Sequence, residues 1–278
     1  MNKEGFFSRY PIREKDSNKY DNGVVLFVSG SYGMAGAAAL NLTGARSAGC
    51  SYIHSIVPAS IYPIVAQKEM TAVYHVYSEN CEHLFEDDAY LRKVKAIGFG
   101  SGLDHCKSAG KYLNEILSYK DIPLVVDAYG LRLFARDDTY YGRHSDLIFT
   151  PHMGEFRALC GYDIETILRN REEIALEFAK KRDLTLVLKG PETLVVSPDG
   201  RIYRNDSGNA ALARAGSGDI LTGMIAGLCS LYEDSYTAAK DAVWLHGYLC
   251  DQAMREHSME VFDLFTYPVL ADRFFKER

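Results

Sequence analysis

Residues 215–219 read Ala-Gly-Ser-Gly-Asp, and the apolar run ILTGMIAGL follows to Leu228. Gly216 and Gly218 reach backbone conformations closed to other residues, and without side chains an anion can approach their amides closely. The run behind them has the small and apolar residues of a buried helix, whose first amides are unpaired donors at the positive end of the helix dipole. The loop therefore reads as an anion cradle. A carboxylate at Asp219 repels a resting anion, so it makes sense where it must take a proton from a hydroxyl while the loop holds the charge of a phosphoryl group in transfer. Capping the helix is the plainer role for an aspartate in this place.

Outward from this stretch, strand-like and helix-like segments alternate. VVLFVSG (24–30), SYIHSIVP (51–58), TAVYHVYS (71–78), VKAIGFGSG (94–102), LVVDAYG (124–130), SDLIFTP (145–151) and LTLVLKG (184–190) read as strands. Between them lie the alanine-rich SYGMAGAAALNLTGARSAG (31–49), a helical segment near Leu113–Tyr119 and the charged helix ETILRNREEIALEFAKKR (165–182). The alternation predicts βαβ units and a mainly parallel sheet with helices on both faces, an α/β fold. LTLVLKGPETLVVSPDGRIYRND (184–206) reads instead as short strands joined by tight turns, PDG being the turn signal, and predicts a local antiparallel meander. Helices over Asp219–Leu231 and Ser235–Glu256 are expected after it. No repeat or low-complexity linker interrupts residues 1–278, so one domain is expected.

Composition narrows the function. The chain has 278 residues, 47% hydrophobic and 24% charged, with net charge −6, as in a soluble globular protein with a full core. No basic stripe suggests nucleic acid, no apolar run reaches the roughly 18 residues of a membrane span, and the first residues lack a signal-peptide core. A cytoplasmic protein is expected. Cys50, Cys81, Cys106, Cys160, Cys229 and Cys250 are scattered, with no CxxC pair, and read as buried free thiols.

In parallel sheets ligands gather at the carboxyl ends of the strands. SGSYGMAG (29–36), GFGSG (98–102), DAYG (127–130), TPHMGE (150–155) and LKGPET (188–193) place glycine and polar residues there. There is no P-loop motif, no complete GxGxxG, no HExxH and no GxSxG.

GSGD ahead of a small-residue helix resembles the anion-hole signature of the ribokinase-like superfamily. Within it, GSYGMAGAA (30–38), TPHMGEF (150–156), VLKGPETLVVSPDG (187–200) and GNAALARAGSGDILTGMIAGL (208–228), in this order, resemble the ADP/ATP-dependent NAD(P)H-hydrate dehydratase family over about residues 12–256. The resemblance implies a three-layer α/β/α sandwich and repair of hydrated, inactive NADH or NADPH. The ring hydroxyl of the (6S) hydrate is phosphorylated by ADP or ATP, with ADP favoured and Mg2+ as cofactor. Phosphate then leaves and the ring double bond returns.

On this resemblance Asp219 is the base, and the amides of Gly216, Ser217 and Gly218 stabilise the phosphoryl charge. Gly36, Ala37, Gly100, Gly102, His152 and Asn209 contact the hydrated dinucleotide. Lys189, Gly190, Pro191, Glu192, Thr193 and Gly218 line the nucleotide. Asp127, the first aspartate of a DAD-like turn, orients that loop or a water near magnesium rather than acting as base. Glu155 either contributes to metal or water binding or closes a capping box with Thr150, and Arg214 either touches phosphate or faces solvent. The sequence departs from the family where GFGSG stands for Gly-Pro-Gly-Leu-Gly, with Phe99 at the proline, and where DAYG stands for DADA. The metal ligands are not named by any motif. A homo-oligomer, a tetramer, is also implied, as is a separate epimerase acting on the same substrate, since the chain is too short for an epimerase domain of its own. Two alternatives stay open: a small-molecule kinase of the same superfamily, which shares GSGD, and a nucleotide sensor without turnover, which has no use for Asp219.

Overall fold

The computed structural model describes residues 1–78, 83–85, 89–257 and 263–278. One nine-stranded sheet runs through the chain: β1 Val24–Val28, β2 Tyr52–Pro58, β3 Val73–Tyr77, β4 Ala96–Phe99, β5 Leu124–Val126, β6 Leu147–Phe149, β7 Thr185–Leu188, β8 Leu194–Val196 and β9 Ile202–Arg204. The spatial order is β3-β2-β1-β4-β5-β6-β7-β8-β9. Every pair up to β6–β7 is parallel, while β7–β8 and β8–β9 are antiparallel, which is the expected meander. Gly200 closes its turn by donating to the Ser197 carbonyl at 3.1 Å, at the PDG signal.

β1 is buried at every residue, as a central parallel strand with helices on both sides should be. The period of two divides its side chains. Val25 and Phe27, with Ile148, Val187 and Val195, pack under the helices Ala35–Ser47, Ser217–Cys229, Ser235–His257 and Tyr267–Lys276. Leu26 and Val28, with Phe99, Val126 and Leu188, pack under the helices Ala109–Ile116, Tyr129–Arg136, Met153–Cys160 and Arg171–Arg182. The result is a three-layer α/β/α sandwich.

Two helices of the first layer touch backbone to backbone. A Cβ on Gly44 would lie 2.2 Å from the Ile220 carbonyl oxygen, and one on Gly223 would lie 2.1 Å from that of Asn41. Only glycine permits this approach. On the same side Arg9 anchors the N-terminal segment by a two-pronged bond to the fully buried Asp241, at 2.9 and 2.8 Å.

Several boundaries differ from the sequence reading. The helix expected over 165–182 is two, Ile164–Arg169 and Arg171–Arg182. Asn170 leaves helical geometry between them and donates its side-chain amide to the Thr166 carbonyl, a local bond that competes with helix continuation. The segment near Leu113–Tyr119 is the helix Ala109–Ile116. The helix expected from Asp219 begins at Ser217, with Gly216 as its N-cap in the left-handed region at φ +92°. Asp219 is thus the third helical residue and not the cap. Cys50, Cys106, Cys160, Cys229 and Cys250 are free thiols, of which Cys106 and Cys160 are only partly buried; Cys81 lies outside the described residues. Among the described residues no helix is long and apolar enough to cross a membrane.

Candidate active site

The chain runs outward in both directions from β1, to β2 on one side and to β4 on the other, so the crevice beyond β1 and β4 is the topological switch point, where ligands bind in open α/β sheets. The turns after these strands are tied together. The Gly30 amide donates to the Ser101 carbonyl at 2.8 Å, and the Ser31 hydroxyl to that of Gly102 at 2.7 Å. Gly102, at φ +67°, admits the neighbouring turn: a Cβ on it would sit 2.7 Å from that of Ala37. Gly36 opens on free space. Gly36, Ala37, Gly100 and Gly102 therefore form one rim.

The start of the helix Ser217–Cys229 stands beside this rim. The Asn41 side-chain amide donates to the Asp219 carbonyl at 2.9 Å and to the Ser101 hydroxyl at 3.2 Å. Ser217 NH makes one long bond to the Arg214 carbonyl, at 3.4 Å, and the first regular helical bond is from Ile220 to Gly216. Among the described residues the amides of Gly218 and Asp219 have no carbonyl partner, which leaves the donors that an anion hole requires.

The ends of β5 and β7 bring charge to the same place. Lys189 Nζ lies 2.8 Å from Asp127 Oδ1, and a Cβ on Gly218 would lie 3.2 Å from that ammonium. Asp127 is buried and also accepts from the Thr150 hydroxyl at 2.7 Å and the Ser101 hydroxyl at 3.3 Å. Burial pulls the Lys189 ammonium down, but Asp127, Glu155 and Asp219 outweigh it, and the net direction is up. Asp219 is pushed up to about 7, first by burial and next by the Asp127 charge, against the opposing pull of Lys189 and a Ser101 hydrogen bond. A carboxyl poised near neutrality is suited to accept a proton there.

Beyond Lys189 opens a cavity of about 730 Å3. Lys189, Gly190, Pro191, Glu192, Thr193 and Gly218 all line it, so the six residues read as nucleotide contacts share one space. His152, Asn209 and Arg214 line the same cavity and so stand apart from the rim of Gly36, Ala37, Gly100 and Gly102. The His152 ring accepts at Nδ1 from the Gly154 and Glu155 amides, at 3.0 and 3.2 Å, while Glu155 accepts from the His152 amide at 2.9 Å. This is the capping box, and its partner is His152 rather than Thr150, whose hydroxyl is taken by Asp127. With Nδ1 accepting, the ring proton sits on Nε2, on a side chain that is 60% exposed. Asn209 is exposed and engages both polar ends of its side chain locally, Nδ2 donating to Asp251 at 2.8 Å and Oδ1 accepting from the Ala211 amide at 3.0 Å, so it shapes the wall.

Other residues of the site carry no motif. Arg171 braces the 188–193 loop by donating to the carbonyls of Pro191 and Leu188. Asp251 holds the Gly208 amide at 2.8 Å. His246 is buried with Nε2 3.5 Å from the Ser217 hydroxyl, and burial, then the Lys189 charge, pushes it down to about 3, so it is neutral. Each comes from an element distant in sequence, and only pairing across the fold reveals it. Among the described residues no three His, Cys, Asp or Glu side chains converge on a metal position. Both oxygens of Asp127 are engaged.

A sheet of this order, with an anion-cradling helix start at its carboxyl edge, defines the ribokinase-like fold. A ribokinase-like superfamily protein from Enterococcus faecalis shares it, with TM-score 0.84 over 99% of this chain and 95% of that one at 23% identity. The chain belongs to the NAD(P)H-hydrate dehydratase family: the Carb_kinase family model, described by that activity, matches residues 25–266. It is 34% identical over 249 residues to the ADP-dependent (S)-NAD(P)H-hydrate dehydratase of Bacillus subtilis, covering 89% of this chain and 87% of the relative. The structure of the ADP/ATP-dependent NAD(P)H-hydrate dehydratase from B. subtilis, co-crystallized with ATP/Mg2+, matches with TM-score 0.87 at 31% identity, over 99% of this chain and 97% of that one. A bifunctional NAD(P)H-hydrate repair enzyme of Moorella thermoacetica is 36% identical over 256 residues, 90% of this chain but 48% of the relative, so the chain spans about half the length of such bifunctional relatives.

Proposed function

We propose that this chain restores NADH and NADPH from their (6S) hydrates, consuming ADP or ATP, with ADP the preferred donor as in the name of the B. subtilis relative. The observation that carries the reading is Asp219: a half-buried carboxyl near neutrality, one residue from unpaired helix amides and beside a lysine. Asp219 takes the proton as the ring hydroxyl oxygen attacks the terminal phosphoryl group, late in a loose transition state. The amides of Gly216, Ser217 and Gly218 hold the charge that develops. ADP then leaves as AMP. Loss of phosphate from the ring carbon, with a proton from the adjacent carbon, restores the double bond.

The nucleotide occupies the cavity from Lys189 to Thr193, and the hydrated ring lies toward Gly36, Ala37, Gly100 and Gly102. His152 and Asn209 act on the cavity side. Magnesium, supplied with the phosphates, neutralises their charge. All of residues 1–278 serve this one activity as a single domain, in a cytoplasmic homotetramer, with a separate epimerase supplying the reactive epimer.

The test is the return of reduced-nicotinamide absorbance from hydrated NADH with magnesium and either nucleotide. Recovery that depends on one nucleotide is the expected result. No recovery from folded protein that binds nucleotide would overturn the reading in favour of a small-molecule kinase.

A further inference from the structure

Asp127 is held in place more firmly than turn formation needs. The residue after it, Ala128, is forced to φ +48°, a strained value for a residue with a side chain. Gly100, at φ +116°, lies so close that a Cβ on it would stand 2.1 Å from the Asp127 carbonyl oxygen. The Asp127 amide donates to the Phe99 carbonyl at 3.0 Å. Backbone at the ends of two strands thus fixes where the carboxylate points. Its oxygens then collect Ser101 from the same β4 turn, and Lys189 and Thr150 from two further segments.

The Lys189 ammonium, in turn, already stands over the second residue of the helix whose amides await an anion. In the structure as it stands, its closest carboxylate partner is Asp127, at 2.8 Å. A nucleotide phosphate entering the cavity brings greater negative charge to the same ammonium, so the two anions compete for it.

We propose that Asp127 is a positioning residue that stores Lys189: it holds the ammonium at the mouth of the anion hole until a nucleotide phosphate draws the ammonium away from it. The inference rests on the nucleotide site described above. Its consequence is an order of events. The charged groups facing Asp219 are Asp127 from the end of β5, Lys189 from the end of β7 and Glu155 from the helix Met153–Cys160, while His246 behind Ser217 is neutral. When Lys189 turns to the phosphate, Asp127 loses its counter-ion and raises the proton affinity of Asp219 further. The base is therefore strongest when the phosphoryl donor is in place.

Two variants with opposite expected signs test this, read first by ADP binding in titration calorimetry without any hydrate. Asp127→Asn removes the competitor, so ADP binds as tightly or up to about tenfold more tightly. Turnover falls, and the acid limb of kcat/KM moves down by about one pH unit, because a like charge beside Asp219 is gone. Thr150→Val leaves the carboxylate with fewer donors and a stronger hold on Lys189, so ADP binds several-fold more weakly while the acid limb stays at or above its place. Weaker ADP binding in both variants with an unmoved acid limb would show a merely structural Asp127 and overturn the proposal. If Asp127→Asn does not fold, unchanged ADP affinity in Thr150→Val overturns it alone. Failure of the unmodified protein to restore reduced nicotinamide would sink the proposed function, while the ADP measurements would still decide the exchange.

Discussion

Two carboxylates on consecutive helices, Asp241 buried and Asp219 half-buried, are treated in opposite ways. Asp241, on the helix Ser235–His257, receives a two-pronged guanidinium from Arg9 and the hydroxyl of Tyr232 at 3.2 Å. Asp219, on the helix Ser217–Cys229, is given burial and a like charge, with Lys189 shared among neighbours. The first arrangement completes a charge and fastens the N-terminal segment. The second leaves a charge incomplete, so that its proton can move. A buried carboxylate is structural or chemical according to whether its surroundings finish it.

The largest effect separating the two is on turnover. Asp219→Asn should lower it about 100- to 10,000-fold in the absorbance assay, the range credited to a general base, with ADP affinity retained. Near-normal turnover would remove Asp219 from the chemistry. Arg9→Ala should do the reverse. It leaves Asp241 with the Tyr232 hydroxyl and the Lys240 ammonium at 3.8 Å, and should cost about 3 kcal/mol in urea unfolding, while activity per folded molecule stays the same.

Asp219→Asn should also stabilise the fold, by about 1–3 kcal/mol at pH 8.5 and not at all at pH 4. The sign follows from a carboxyl whose folded-state value is raised to about 7: its stability contribution is complete below about pH 4 and is lost as pH rises through 7. Melting curves at the two pH values check this, and equal differences at both would deny the uncompensated charge. The smallest effect is at His152. His152→Ala should cost about 1 kcal/mol as the loss of a cap, and His152→Asn should recover most of it. Turnover that stays low in His152→Asn would assign the ring a ligand contact besides.

The alternation of strands and helices, the meander and all five carboxyl-end turns were legible, because period and turn chemistry are local. The place of Lys189 directly after a strand was legible for the same reason. The start of the key helix was misplaced by two residues, since a glycine N-cap has no side chain to announce it. The sequence leaves Glu155 open between metal or water binding and a capping box with Thr150; the box forms with the imidazole of His152, and the threonine hydroxyl goes to Asp127. Asn41, Ser101, Asp251 and His246 were silent in sequence. Their partners lie 26 to 178 residues away along the chain, and no spacing rule spans such distances.

The glycine contact between the helices Ala35–Ser47 and Ser217–Cys229 bears on more than packing. One helix carries Gly36 and Ala37 and the other carries Asp219, so on the proposed function their contact sets the span between ring and base. With carbonyls already at glycine-only range, the pair has no slack to slide closer. On that reading the helix pair is a rigid caliper for the substrate. A hydroxyl displaced by one bond length would meet the same fixed gap and fall short of attack.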